Sequence, residues 1–318
     1  MSPVISARGL VKRYGANTVL DGLTVDVQAG VTGLLGSNGA GKTTFLGLVL
    51  GLHRPDAGTV EVVGHDPSRS GPAVREQVGY APEHHSLPED LAAYDLVRHL
   101  AEIHGLPPKE AINRASDVLW QVGLGEERLR PIGTMSTGQR QRVKLAAAIA
   151  HDPAVVLLDE PTDGLDPAQR DAMLQLIRRV GTEFGIHVLL SSHLLDEVER
   201  TCDRVMILAG GKVTAEGSIE ELRGRSRGLI LDVDDRAKEV AALLQAGGFT
   251  VGWPVIPRPG AGAELDVTHA SSSDEAIAQA IRNAVADSGA SLRKLHPRRT
   301  SLAEVFLHAG TAPTMSPR

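Results

Sequence analysis

The stretch GSNGAGKTT, Gly36 to Thr44, constrains this chain more than any other feature. It stands between a short apolar run, VTGLL (Val31–Leu35), and KTTFLGLVLGL, whose pattern reads as a helix. Strand, glycine-rich turn and helix, with the spacing G-x-x-x-x-G-K-[ST], make a phosphate-binding loop. Such a loop needs backbone N–H groups pointing inward around phosphate oxygens, which only a glycine-rich turn permits. The partial positive charge of the helix N-terminus adds to the attraction. Lys42 would reach the β- and γ-phosphates of a nucleotide, and the Thr43 hydroxyl would ligate Mg²⁺.

The rest of the first two thirds alternates between strand and helix. GTVEVVG (Gly58–Gly64) alternates as an antiparallel strand would, and AVVLLD (Ala154–Asp159), HVLLSS and RVMILAGG read as buried strands, the last closing this portion of the chain. Helices are expected from about Pro167 to Phe184 and over LLDEVER. LAAYDLVRHLAEIHGL and AINRASDVLWQVGL, split by Pro107-Pro108, suggest a helical subdomain over about residues 84–135. This order implies an α/β fold with a largely parallel sheet covered on both faces.

Chemistry collects at the strand ends. A buried apolar strand ending in Asp159-Glu160 puts two acids at the carboxyl edge of the sheet, where α/β folds bind ligands. Asp159 would hold Mg²⁺, directly or through water, and Glu160 is positioned to polarise an attacking water. His193 follows another buried strand. Alone it would be a structural histidine, but after the phosphate loop and the acidic strand it reads as a γ-phosphate sensor. Tyr14, in LVKRYG, is either a core aromatic or a ring that stacks on adenine. In MSTGQRQRV (Met135–Val143), Ser136 followed three residues later by Gln139 is a capping box opening a helix. That leaves exposed polar donors in search of a purpose.

Taken together these segments resemble the ATP-binding subunit of ABC transporters, over roughly Ile5 to Leu222. The phosphate loop at Gly36–Thr43, the signature at Met135–Gln139, the acidic strand at Val155–Glu160, the D-loop at Gly164–Pro167 and the switch residue His193 occur in family order. The resemblance implies ATP and Mg²⁺ as cofactors. ATP would be bound by Tyr14, Gly36, Ser37, Asn38, Gly39, Ala40, Gly41, Lys42, Thr43 and Thr44. Thr43, Asp159 and Glu83 would serve the metal, Glu160 and His193 catalysis, and Asp166 the D-loop. It also implies that Ser136, Gly138 and Gln139 contact the ATP held by a second, head-to-tail subunit. The cap at Ser136 would then be exchanged for phosphate on closure. Three positions depart from the family pattern: MSTGQ where LSGGQ is usual, Ser37 in place of a common proline, and Glu83 where glutamine is usual. The last is a variant similar to that of ATPases serving small exporters.

Composition narrows the partners. A formal charge of −6 argues against nucleic acid as a partner. The single cysteine, Cys202, excludes an internal disulfide framework and reads as a buried small hydrophobe. No run approaches the ~18 apolar residues of a membrane span, and the N-terminus lacks a signal-peptide core. Any membrane part would belong to another polypeptide, a transmembrane permease, with this chain peripheral on the cytoplasmic face. Both halves of a complete site are present, which suits a homodimer. The alternative is a soluble ABC ATPase acting on nucleic acid or ribosomes. Such chains carry two ATPase domains, a long coiled coil or a zinc module, and this one has none of these. The adjacent His84-His85 would point to opposite sides of a strand, which disfavours a metal site.

Composition shifts near RGRSRG (Arg223–Gly228), so an ATP-binding domain at residues 1–222 is expected, then a linker at 223–228. The remainder reads strand, helix, strand, strand, helix, strand, a small ferredoxin-like α+β accessory domain at 229–310 with PRPGAGA as a loop. A disordered tail is expected at 311–318. TSLAEVFLHAG (Thr300–Gly310) looks like the ending of ATPases of ABC-2-type exporters, especially drug- and antibiotic-resistance pumps. The arginine-rich patches RGRSRG and RKLHPRR read as a solvated linker and strand edge before an anion-binding surface.

Overall fold

Buried β-branched runs and glycine turns set the architecture. The structure, a computed structural model, describes residues 2–83, 87–224, 228–233, 236–253, 263–269 and 273–297. His84-His85, residues 225–227 of RGRSRG, the PRPGAGA loop up to its last residue, TSLAEVFLHAG and the tail thus lie outside the described residues. The chain divides into two compact units between Ile219 and Glu220.

The first unit opens with a hairpin, β1 (Ile5–Tyr14) and β2 (Asn17–Val27), then β3 (Val31–Leu35), α1 (Lys42–Val49), β4 (Ala57–Val62), α2 (Gly71–Gln77) and β5 (Val78–Ala81). The helical pair α3 (Ala93–Ile103) and α4 (Pro108–Gln121) follows, with Pro108 in the first turn, where its missing N–H costs nothing. Next come α5 (Thr137–Ile149), β6 (Val155–Asp159), α6 (Pro167–Thr182), β7 (His187–Ser192), α7 (Leu195–Thr201), β8 (Arg204–Ala209) and β9 (Lys212–Ser218), and α8 (Ile219–Gly224) starts at the division, with all but its first residue in the second unit. The six-stranded sheet has the order β5-β6-β7-β3-β8-β9, parallel except for the antiparallel pair β8–β9. A separate antiparallel sheet, β2-β1-β4, packs with α1 on one face, and Phe45 is fully buried between them. On the other face α5 packs against β5 and β6, α6 against β7, and α7 against β3 and β7.

One sequence expectation needs correction, and one element has no counterpart in the sequence reading. RVMILAGG does not close this portion, because β9 returns antiparallel along it as an edge strand. The N-terminal hairpin is also absent from the pattern reading. Gly9 and Gly22 adopt positive φ there and register shifts interrupt the pairing, so the two-residue alternation is broken. Cys202 is buried as expected, and burial pushes its thiol pKa up.

The helical pair docks by polar contacts as well as apolar ones. Arg114 of α4 donates to the carbonyls of Ala150 (3.0 Å) and Ile149 (3.2 Å) at the C-terminal end of α5 and pairs with Asp152. His104, which ends α3, stacks on His151 with ring centroids 3.8 Å apart.

In the second unit β10 (Gly228–Val233), α9 (Ala237–Ala246), β11 (Thr250–Gly252), β12 (Ala263–Thr268), α10 (Asp274–Ser288) and β13 (Leu292–Pro297) form an antiparallel sheet in the order β11-β12-β10-β13. Leu229, Leu231 and Val233 alternate inward and meet Val240, Leu244, Ile277 and Ile281 of the helices. The βαββαβ order is that of a ferredoxin-like unit. Among the described residues no helix is long and apolar enough to cross a membrane.

Two predictions follow from packing and burial. A Cβ on Gly33 would lie 2.5 Å from Val198 Cγ1 and 3.2 Å from Cys202 Sγ, because α7 lies directly on β3. Gly33→Ala should therefore destabilise the fold by roughly 1–3 kcal/mol in urea unfolding. The penalty should shrink in a Val198→Ala background, and an equal penalty in both would show that Val198 is not the obstacle. Burial, then the neighbouring His104, lowers the His151 pKa to about 4. The unfolded chain, titrating near 6.5, binds a proton that the folded one refuses, so this group's contribution to stability declines as pH falls from about 6.5 towards about 4. His151→Phe should flatten that part of the stability profile, measured as urea midpoints across the window.

Candidate active site

β6, β7 and β3 lie side by side in parallel, so their carboxyl ends deliver three loops to one place. After β3 the chain turns through Gly39 (φ 80°) and Gly41 (φ 106°), conformations that L side chains resist, and α1 starts at Lys42. Gly36 also admits no side chain, since a Cβ would come 2.7 Å from the Leu208 carbonyl.

Lys42 is 7% exposed, and its ammonium donates to the Gly36 carbonyl (2.7 Å) and pairs with Glu160 Oε1 (3.1 Å). The other Glu160 oxygen meets His193 Nδ1 at 2.9 Å. Thr43 Oγ1 donates to Asp159 Oδ2 (3.1 Å). Ser191 bridges the two acids: its Oγ donates to Asp159 Oδ1 (2.5 Å) and accepts from the Glu160 backbone N–H (3.0 Å). That bond helps hold Glu160 at φ 46°, a left-handed conformation costing about 1–3 kcal/mol in a non-glycine residue.

The phosphate loop and Glu160 line a cleft of about 440 Å³ that also includes Tyr14, Asn38, Thr44 and Glu83, with Asp159 and His193 in contact with its lining residues Thr43 and Glu160. Tyr14 is 46% exposed at the end of β1, so it is not a core aromatic. Lys12 Nζ stands 5.4 Å from its ring centroid and His53 meets it edge-on at 6.0 Å. Beyond β5, Lys144 of α5 donates to the carbonyls of Glu83 (2.9 Å) and Pro82 (3.2 Å). Burial lowers the pKa of Lys144. Burial, then Asp159 and Glu83, raises that of Tyr80 to about 12 and keeps its phenol neutral.

The donor set fits a magnesium nucleotide. Among the described residues no group of three or more His, Cys, Asp or Glu side chains gathers to hold a metal alone. One hydroxyl and one carboxylate, Thr43 and Asp159, stand together beside the cleft instead. Mg²⁺ is commonly held that way, by one or two carboxylates plus substrate phosphates.

The signature and D-loop lie elsewhere, in a separate cavity of about 230 Å³ lined by Ser136, Gly138, Gln139 and Gln169. Ser136 is exposed and its capping box is formed: Ser136 Oγ accepts from the Gln139 N–H (3.3 Å), and Gln139 Oε1 accepts from the Ser136 N–H (3.0 Å). Asp166 caps α6, accepting from the Gln169 N–H at 2.9 Å. Gln169 then crowds Gly138, where a Cβ would sit 3.0 Å from its Oε1. Ser191, Ser192 and Glu197 were not singled out in the sequence. Their signal is two hydroxyls ending a strand whose centre, Val188–Leu190, is apolar, and an acid on the inner side of a short helix.

Residues 20–163 match the family model described as ABC transporter. Along 309 residues the chain is 35% identical to the daunorubicin resistance ATP-binding protein DrrA3 of Streptomyces coeruleorubidus, covering 96% of this chain and 95% of that protein. It is 35% identical to the bacitracin transport ATP-binding protein BcrA of Bacillus licheniformis, over 77% of this chain and 80% of that one. Among solved structures, an ATP-binding subunit of an ABC transporter superimposes with a TM-score of 0.62 at 30% identity, covering 69% of this chain and 92% of that one.

Ser136→Ala removes the acceptor for the Gln139 N–H. It should cost about 0.5–2 kcal/mol of local helix stability. Hydrogen exchange at the first amides of α5 reads this directly, and unchanged protection would show that the cap contributes nothing.

Proposed function

Because the chain belongs to the ABC transporter family, as one of its ATP-binding subunits, we propose that it binds Mg-ATP in the Tyr14–Lys42–Glu160 cleft and powers export through a separate membrane permease. The chain is an ATPase subunit, as its family is. The observation that carries the site assignment is the chain of contacts Lys42–Glu160–His193, beside Thr43–Asp159, in which Lys42, Thr43 and Glu160 line one cleft.

Incoming phosphates would draw the Lys42 ammonium away from Glu160 and the Gly36 carbonyl, exchanging one charge-assisted partner for another. Glu160, relieved of that ion pair, then accepts a hydrogen bond from the attacking water, while His193 holds its second oxygen and faces the γ-phosphate. Thr43 and Asp159 would hold Mg²⁺, with Glu83 at the rim of the cleft. The metal, when bound, supplies charge neutralisation on the phosphates. Tyr14, exposed at the mouth, offers its ring to the adenine.

The signature lines a cavity that shares no residue with this cleft. A second subunit set head to tail would bring Ser136, Gly138 and Gln139 onto the phosphates, with Asp166 between them. The donor engaged by the capping box would pass to the nucleotide. Two such subunits, closing on ATP and reopening on hydrolysis, would drive a transmembrane partner from the cytoplasmic face. Relatives named for daunorubicin resistance and bacitracin transport support small-molecule export as the branch. The cargo would be chosen by the permease.

Lys42→Ala should weaken ATP binding by about 1.5–3 kcal/mol, roughly ten- to a hundredfold, in equilibrium titration. Glu160→Gln should keep ATP binding, lower turnover on the order of 10²–10⁴-fold and accumulate a dimer in size-exclusion chromatography with light scattering. Normal turnover by Glu160→Gln would sink the assignment of the catalytic carboxylate.

A further inference from the structure

Among the described residues Glu197 is the most deeply buried carboxylate outside the cleft, with no exposed surface. It sits in the first turn of α7 and does not line the nucleotide cleft. An ion so buried persists only where its oxygens are saturated by partners. Here the partners come from three different segments. Thr162 Oγ1, in the loop after β6, donates to Oε1 at 2.7 Å. Ser192 Oγ, the last residue of β7, donates to Oε2 at 2.7 Å. Arg170 Nε of α6, one turn beyond Asp166, stands 3.4 Å from Oε1 and supplies the opposite charge.

Two of these segments carry the reacting pair. Thr162 lies two residues beyond Glu160, and Ser192 immediately precedes His193. Ser192 also accepts the Leu194 N–H at 3.0 Å, so its hydroxyl spans the turn on which His193 sits, donating to Glu197 on one side and accepting from Leu194 on the other. Ser191 fixes the backbone of Glu160 from the opposite face of the same strand end. The third segment, through Arg170, begins at the D-loop cap Asp166.

We propose that Glu197 is a positioning residue for ATP hydrolysis: it clamps the loop after Glu160, the turn bearing His193 and the D-loop helix together, and so sets the 2.9 Å contact between Glu160 and His193. It touches no nucleotide and moves no proton. The proposal rests on the assignment of Glu160 and His193 as the hydrolytic pair. Glu197→Gln keeps the shape and can still exchange hydrogen bonds with two hydroxyls, but it loses the charge that Arg170 answers. The geometry of the pair would relax while the nucleotide cleft stays intact.

The test measures ATPase kinetics and ATP binding on the full chain for Glu197→Gln, His193→Ala and the double variant, with Glu160→Gln as reference. The expected result is a kcat for Glu197→Gln lower by roughly ten- to a hundredfold, the scale of an ångström-sized misplacement, with ATP affinity and thermal midpoint near wild type. The two losses should not add, so that Glu197→Gln lowers turnover little further once His193 is alanine. Additive losses, or wild-type kcat in Glu197→Gln, overturn the positioning role. Normal turnover in Glu160→Gln and His193→Ala would instead overturn the site assignment on which it rests. Should Glu197→Gln not fold, Ser192→Ala and Thr162→Val each remove one hydrogen bond to the carboxylate, and the same non-additivity with His193→Ala is expected of both.

Discussion

Everything at the cleft depends on three parallel strands ending at one level. Neighbours in a parallel sheet point the same way, so β3, β7 and β6 release their chains on the same edge within a strand spacing or two of each other. The phosphate loop lies more than a hundred residues before the pair Asp159-Glu160 and before His193, which follows Glu160 by 33 residues, yet strand order alone makes all three neighbours. The antiparallel sheet β2-β1-β4 adds the one element the parallel core cannot, since its first hairpin carries Tyr14 to the mouth of the cleft.

That convergence brings opposite charges into a confined space, and the site is stable because each has an answer. Lys42 and Glu160, both nearly buried, neutralise one another at 3.1 Å. A pair of this kind contributes little net stability, because desolvation offsets the Coulomb gain. Under the proposed function its value would be that a cation held by a carbonyl and a carboxylate can pass to phosphate while Glu160 keeps its contact with His193. Ser191 makes the arrangement rigid by holding Asp159 through its proton and Glu160 through its lone pair.

Under the proposed function, one local structure at the start of α5 would serve two purposes. Ser136 and Gln139 form the reciprocal cap that the spacing predicts, and the same Ser136 is exposed on the surface beside Gly138. A helix N-terminus is by construction a cluster of backbone donors, and the Ser136 hydroxyl accepts from one of them, so the donors that the cap satisfies are those that would greet a phosphate. Thr137, in place of the usual glycine, keeps its methyl near the D-loop: a Cβ on Gly164 would stand 3.7 Å from it.

Features whose physics is local were legible in the sequence. The phosphate loop was readable because only glycines can reach φ 80° and 106° before Lys42, the cap because Ser136 and Gln139 stand three apart, and the acidic strand because an apolar run must end where its acids begin. The βαββαβ order of the second unit came from clean alternation in Leu229, Leu231 and Val233. The N-terminal hairpin escaped because bulges at glycines broke its period, and β9 because an exposed edge strand carries few apolar residues. Glu197 was invisible for another reason. In sequence it is one acid among several on a short helix; only the fold brings Thr162, Ser192 and Arg170 to it and removes it from water. The sequence by itself determined which loops could bind phosphate and which strands would be buried. Tertiary structure alone decided which side chains from separate loops share one dry pocket, because that depends on strand order and helix packing, which no local spacing encodes.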